Sequence, residues 1–228
     1  MKAADCCNGG TKLNEVARFV VIFGVQIQSH MSKILELDIT LQGSKPKIWR
    51  RVLVPADLNF HELHYVIQFS MGWTNSHLHQ FIVGRHDRCI GMPFDDGFDD
   101  MEMEDGREVN ISELLANPQD KIKYEYDFGD GWDHLVEVKK VHEPEAGKHY
   151  PVVIGGAMAC PPEDCGGVWG YADLVETMKK KGTKKYREML EWLGQDFDPE
   201  EFDMEGINEA YFTDFEKEVK GWDDLAFG

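Results

Sequence analysis

Lys121-Ile122-Lys123-Tyr124-Glu125-Tyr126-Asp127-Phe128-Gly129-Asp130-Gly131-Trp132, running on to Val141, is the stretch that decides the fold. Ile122, Tyr124, Tyr126 and Phe128 alternate with Lys121, Lys123, Glu125 and Asp127. A period of two is what a strand with one buried and one wet face requires. Gly129-Asp130-Gly131 interrupts the run, so the sequence predicts two antiparallel strands about a tight Asp-Gly turn.

Upstream, Leu35, Leu37, Ile39 and Leu41 alternate with Glu36, Asp38, Thr40 and Gln42, which predicts another strand. Gly43-Ser44-Lys45-Pro46 ends it, and Ile48 to Val54 reads as its partner, closed by Pro55. His79 to Val83 and Tyr150 to Ile154 read as further short strands. Asn59 with Glu62 three positions on is a capping box, and Phe60, Leu63, Val66, Ile67, Phe69 and Met71 carry helical spacing as far as Gly72. Tyr171 to Lys181 and Lys184 to Leu193, ended by Gly182 and Gly194, predict two helices, and Ile207 to Val219 predicts a terminal one. Between them, Gly91 to Gly106 reads as a solvated acidic loop, Ser112 to Leu115 as a single helical turn and Gly155 to Gly170 as a Gly- and Pro-rich loop. The fold class that follows is α+β: an antiparallel or mixed sheet of about five strands, roll-like, packed with one helix from the N-terminal half and with C-terminal helices. Residues 1–30 lack this patterning and read as an extension, with residues 31–228 as a single α+β domain.

The chain has 228 residues, of which 42% are hydrophobic, enough to build a real core. Its 42 Asp and Glu against 24 Lys and Arg give a net charge of -18. That field opposes non-specific binding to phosphate backbones and anionic lipid surfaces, and leaves protein or small-molecule partners. The apolar run Phe19 to Val25 is too short to span a bilayer, and no small-x-small cleavage site follows it. Five cysteines, an odd number without a CxxC pair, suit a reducing cytoplasm.

Four motifs stand out: Ile48-Trp49-Arg50-Arg51-Val52-Leu53-Val54-Pro55; Met71-Gly72-Trp73-Thr74-Asn75-Ser76-His77-Leu78-His79; Tyr126-Asp127-Phe128-Gly129-Asp130-Gly131-Trp132-Asp133-His134; and Ala159-Cys160-Pro161-Pro162-Glu163-Asp164-Cys165-Gly166-Gly167. In this order they resemble the plasmid pRiA-type Orf-three-like family, over roughly residues 32–208. The resemblance implies an α+β, roll-like domain of bacteria and archaea, with some members labelled transposable-element passengers or resolvase-like. It implies no established activity and no agreed catalytic residues. A resolvase would need a nucleophilic serine in an arginine-rich site and a separate basic helical module, and the sequence supplies neither.

The motifs hold two candidate sites. His77, His79, Asp127, His134, Cys160 and Cys165 are ligand types for a divalent transition metal, and His77 and His79 share one strand face at i and i+2. Such a centre would suit a metal-dependent, hydrolase-like enzyme. Trp132, Trp169, Asp127, Asp130, Glu163 and Asp164 could instead line a binding cleft, the rings stacking and the carboxylates bonding. Each residue also has a structural reading: Asp127 and Asp130 as turn residues, Glu163 and Asp164 bonding backbone amides or capping the next helix, the histidines satisfying loop carbonyls, and the tryptophans filling the core. The sequence favours a binding module associated with plasmids or mobile elements, with a metal-dependent enzyme and a nucleic-acid-associated protein as the alternatives.

Overall fold

A computed structural model describes residues 32–84, 88–93 and 103–226. The predicted extension at residues 1–30 and most of the predicted acidic loop lie outside them. Eight strands form one sheet: β1 (Ile34–Leu41), β2 (Trp49–Pro55), β3 (His79–Val83), β4 (Arg88–Gly91), β5 (Met103–Asp105), β6 (Lys121–Tyr126), β7 (Trp132–His142) and β8 (Val152–Ala157). Their order is β5-β4-β3-β6-β7-β1-β2-β8, with β4 and β5 parallel and every other neighbour antiparallel. The helices are α1 (Phe60–Met71), α2 (Gly167–Met178), α3 (Lys184–Leu193), α4 (Met204–Thr213) and α5 (Phe215–Ala226). Among the described residues no helix is long and apolar enough to cross a membrane.

The sheet is larger than about five strands because of pairings the side chains do not announce. Met103-Glu104-Asp105 has no apolar alternation, yet its backbone pairs with Cys89, Ile90 and Gly91. The predicted Asp-Gly turn is a five-residue loop: Tyr126 pairs with Trp132, and the Gly131 amide donates to the Asp127 carbonyl at 2.6 Å. β8 runs on to Ala157 and α2 begins at Gly167, so the predicted loop between them is shorter at both ends. The predicted terminal helix is two helices, because Asp214 leaves helical geometry between α4 and α5.

Helix α1 explains the layering. Asn59 and Glu62 form the capping box, and Gly72 ends the helix in the left-handed region at φ 76°, where a Cβ would be strained. Ten of its twelve residues are buried, so it needs cover on every side. The sheet supplies one side, with Phe60 meeting Phe81 edge-on at 4.9 Å. The C-terminal helices supply the other: Phe69 stacks on Tyr211, and the Tyr211 hydroxyl donates to the Val66 carbonyl at 2.6 Å. The edge strand β8 is closed off by Asn208 of α4, which accepts from the Val153 amide and donates to its carbonyl at 2.8 and 2.9 Å.

Arg50 and Arg51 sit on opposite faces of β2, as alternation requires. Arg51 pairs with Asp38 across the strands at 2.6 and 2.9 Å. Arg50 is buried and donates to the carbonyls of Trp49, Ser70, Ala157 and Met158 and to Cys160 Sγ. One guanidinium thereby ties β2 to the end of α1 and to the fourth motif, as its fork of donors allows.

Candidate functional site

Three loops meet at one end of the sheet: residues 73–78 between α1 and β3, residues 127–131 between β6 and β7, and residues 160–166 before α2. Trp73 Nε1 donates to the Pro161 carbonyl at 2.9 Å. Glu163 accepts from the Tyr126 hydroxyl at 2.5 Å and from Thr74 Oγ1 at 2.6 Å. The Asp127 amide donates to the Leu78 carbonyl at 2.9 Å, and the Gly166 amide to Asp130 Oδ2 at 3.0 Å. Gly167 is required here: its φ is +67°, and a Cβ would lie 2.4 Å from the Asp130 carbonyl oxygen. The second, third and fourth motifs are therefore the walls of one place.

Each loop puts one non-glycine residue in the left-handed region, Asn75, Asp127 and Asp164 with φ of 54°, 55° and 58°. Asn and Asp tolerate that geometry because their short side chains bond locally. Asp127 Oδ1 accepts from the Gly129 and Asp130 amides at 2.9 and 3.3 Å, which holds its carboxylate facing His77. His77 Nε2 lies 3.7 Å from Asp127 Oδ2 and 3.3 Å from Asp164 Oδ1. It is shielded from solvent and makes no hydrogen bond despite those short approaches. Among the described residues this is the one group of three or more His, Cys, Asp or Glu side chains whose ligand atoms all lie within 4.8 Å of one another.

The remaining predicted metal ligands do not join it. His79 is buried and stacked face to face on His64, with ring centroids 3.5 Å apart and planes at 8°. Burial lowers its pKa to about 3. His134 is fully enclosed, its Nδ1 donating to the Trp132 carbonyl at 2.9 Å, and burial lowers its pKa to about 4. Cys160 Sγ sits between Arg50 and Met71, and burial raises its thiol pKa to about 11. Cys165 is pushed up to about 12, first by burial and then by the Asp130 carboxylate. Thiols held protonated in this way are poor ligands and poor nucleophiles.

The predicted cleft is also corrected in part. Trp132 is 0% exposed and packs in the core at 5.9 Å from Trp73, so it lines no cleft. Trp169, in α2, is 86% exposed, and Leu78 and Phe128, next in sequence to His77 and Asp127, are exposed as well. Glu163 and Asp130 brace the loops, and Asp164 faces His77 without capping α2, whose N-cap Gly166 makes no side-chain bond.

Sequence reasoning missed the network behind the site. His64 Nε2 donates to Asn75 Oδ1 at 2.8 Å, so its Nδ1 must accept from the Tyr124 hydroxyl, also at 2.8 Å. Gln68 donates to that hydroxyl at 3.1 Å and accepts from the Asn75 amide at 2.9 Å. A helical spacing of 60, 63, 66 and 67 hides His64 and Gln68, which face the same buried side; only the polar letters within an otherwise apolar helix signalled them. Beside this network is a pocket of about 340 Å³ whose walls include His61, His64, His77 and His79.

The chain is 34% identical over 181 residues to the uncharacterized protein y4hQ of Sinorhizobium fredii (strain NBRC 101917 / NGR234), covering 79% of this chain and 91% of that protein. Its fold is similar to the crystal structure of a protein of unknown function, MM3350, from Methanosarcina mazei Go1, with TM-score 0.68, 36% identity, and coverage of 77% of this chain and 96% of the other. Residues 33–206, which span all four motifs and all three loops of the site, match the plasmid pRiA4b ORF-3-like protein family, and the chain belongs to that family.

Proposed function

We propose that the chain is a binding module that holds a divalent transition-metal ion between His77, Asp127 and Asp164 and presents it to a protein or small-molecule partner. The observation that carries this reading is the spacing of the three side chains. A tetrahedral ion with bonds of about 2.0–2.2 Å keeps its ligands about 3.3–3.6 Å apart. His77 Nε2 lies 3.3 and 3.7 Å from the two carboxylate oxygens. Imidazole with carboxylates suits zinc and its first-row neighbours. Leu78 and Phe128, exposed and next in sequence to His77 and Asp127, supply apolar surface beside two of the ligands. Net charge of -18 speaks against broad nucleic-acid binding.

Three protein ligands leave a coordination position open, the arrangement of catalytic rather than structural zinc sites. That count favours, as a second reading, a metal-dependent hydrolase acting on a substrate oxygen at the open position. Calorimetric titration of zinc into untagged, chelator-treated protein separates the readings from a purely structural cluster. One equivalent should bind, and His77→Phe and Asp164→Asn should each weaken it by about tenfold or more while leaving the melting temperature of the metal-free protein in place. Zinc-dependent turnover of activated esters or phosphoesters would move the conclusion to the hydrolase; failure to bind zinc, manganese or cobalt would remove both readings.

A further inference from the structure

Two short stretches in the last third of the chain segregate charge. Residues 179–187 hold six Lys or Arg and no acid, and residues 196–203 hold five Asp or Glu and no base. The first turns from α2 into α3, and the second leads from α3 to α4. Both line a pocket of about 650 Å³, the first through Lys179 and Lys181, the second through Asp196, Asp198, Glu200 and Glu201. Opposite charges that met there would close into ion pairs. Among the described residues Lys179 pairs instead with Glu176 at 2.6 Å, and no ion pair joins either lysine to those acids. The rest of the lining is largely apolar, chiefly Met158, Val175, Met178 and Phe197.

The apolar part is held in place from behind. Val175 and Met178 stand three apart in α2 and so share a face. Met158, Val175 and Phe197 pack against the core, and Phe197 meets Tyr171 edge-on at 6.2 Å. Met158 has φ of 69°, a region that residues other than Gly, Asn and Asp rarely adopt. Its carbonyl accepts from Arg50 at 2.8 Å, and the amide of the next residue, Ala159, donates to the Pro199 carbonyl at 3.0 Å. The same tethers therefore fix the strained methionine and the acidic stretch. Asp198 tightens that stretch further by accepting from the Glu200 amide at 2.9 Å. Backbone strain persists where its surroundings enforce it, and it gathers at ligand sites.

We infer that this pocket binds a small zwitterion with an apolar body, a short peptide with free ends, whose carboxylate meets Lys181, whose ammonium meets the acids of residues 196–201 and whose side chains lie on Met158, Met178 and Phe197. Both charges of such a ligand find a partner of opposite sign, and Lys181 offsets the repulsion that a carboxylate meets at a chain of net charge -18. Methionine adapts its shape to what it touches, which suits a floor that takes varied side chains. Ligand pockets run from about 300 to 1,000 Å³, and this volume has room for more than a single amino acid. The inference stands apart from the metal reading: the pocket shares no residue with His77, Asp127 and Asp164 and needs no ion.

Leucyl-leucine is a suitable probe, with its N-acetyl and C-amide forms as controls. Each is titrated by calorimetry into the full-length chain in the presence of a chelator, so that no peptide binds through a metal, and the methionine methyl signals are followed by NMR. The free dipeptide should saturate with its largest shifts at Met158 and Met178, and blocking either end should weaken it about fivefold or more. Lys181→Gln, at an exposed position, should bring the free dipeptide down to the level of its amide and leave the amide unchanged. Glu200→Gln combined with Glu201→Gln should weaken the free dipeptide and leave the N-acetyl form unchanged. Equal binding of the free and blocked forms, a loss on blocking one end only, equal weakening of the free dipeptide and its amide by Lys181→Gln, shifts confined to other methionines, or no saturation would overturn the assignment.

Discussion

Acidification should weaken the fold through His134 by an amount the structure sets. The ring is fully enclosed, edge-on to Trp73 at 5.4 Å and tilted against Tyr124 at 5.5 Å. Burial outweighs its hydrogen bond to Trp132 and lowers the pKa from 6.5 to about 4. Between those two values the unfolded chain binds a proton at this position that the native chain does not. Stability therefore falls as pH drops from 6.5 toward 4, and this residue contributes no slope above 6.5. At about 1.4 kcal/mol per pH unit the loss across that interval is roughly 3 kcal/mol. Urea unfolding of the wild type and of His134→Phe, each measured near neutrality and near the foot of the interval, isolates the term. The many carboxylates that also titrate are common to both proteins and cancel in the difference. The wild type should lose roughly 3 kcal/mol more than the variant on acidification. Parallel pH profiles would show that His134 is accessible to protons in the native state, and the reasoning about its enclosure would fail.

Arg50→Met should cost about 3–5 kcal/mol in thermal or urea unfolding, since it orphans four carbonyls that one buried guanidinium now satisfies. Gly167→Ala should lower the melting temperature and weaken zinc binding together, because a Cβ 2.4 Å from the Asp130 carbonyl oxygen pushes α2 off the loop that carries Asp127. Glu163→Gln should cost about 1–2 kcal/mol through its weakened bonds to Tyr126 and Thr74, with zinc affinity changed little; a large loss of affinity would make Glu163 a ligand. Cys160 and Cys165, held protonated up to about 11 and 12, should react far more slowly with a thiol reagent near neutral pH in the native chain than in urea.

Local signals carried much of the architecture into the sequence. The alternation through Tyr124 and Tyr126, the Asn59 to Glu62 capping box and the glycines at 72 and 194 each state a conformation within a few residues. Strand β5 was illegible because Met103, Glu104 and Asp105 are held by main-chain pairing to Cys89, Ile90 and Gly91, which no side-chain period encodes. Trp132 misled because its neighbours are glycines, although its own register against Tyr126 places it in the core. The site was legible as motifs and illegible as a set. Which of His77, His79, His134, Cys160 and Cys165 meet a carboxylate depends on the left-handed turns at Asp127 and Asp164 and on the Arg50 and Glu163 tethers, the last two long-range in sequence.

A zinc-edge anomalous difference map from crystals of the untagged protein grown with zinc bears most directly on the central claim. The account predicts a single strong peak about 2.0–2.2 Å from His77 Nε2 and from one oxygen each of Asp127 and Asp164. A map with no peak between those three side chains, or with the ion bound elsewhere on the acidic surface, would contradict it.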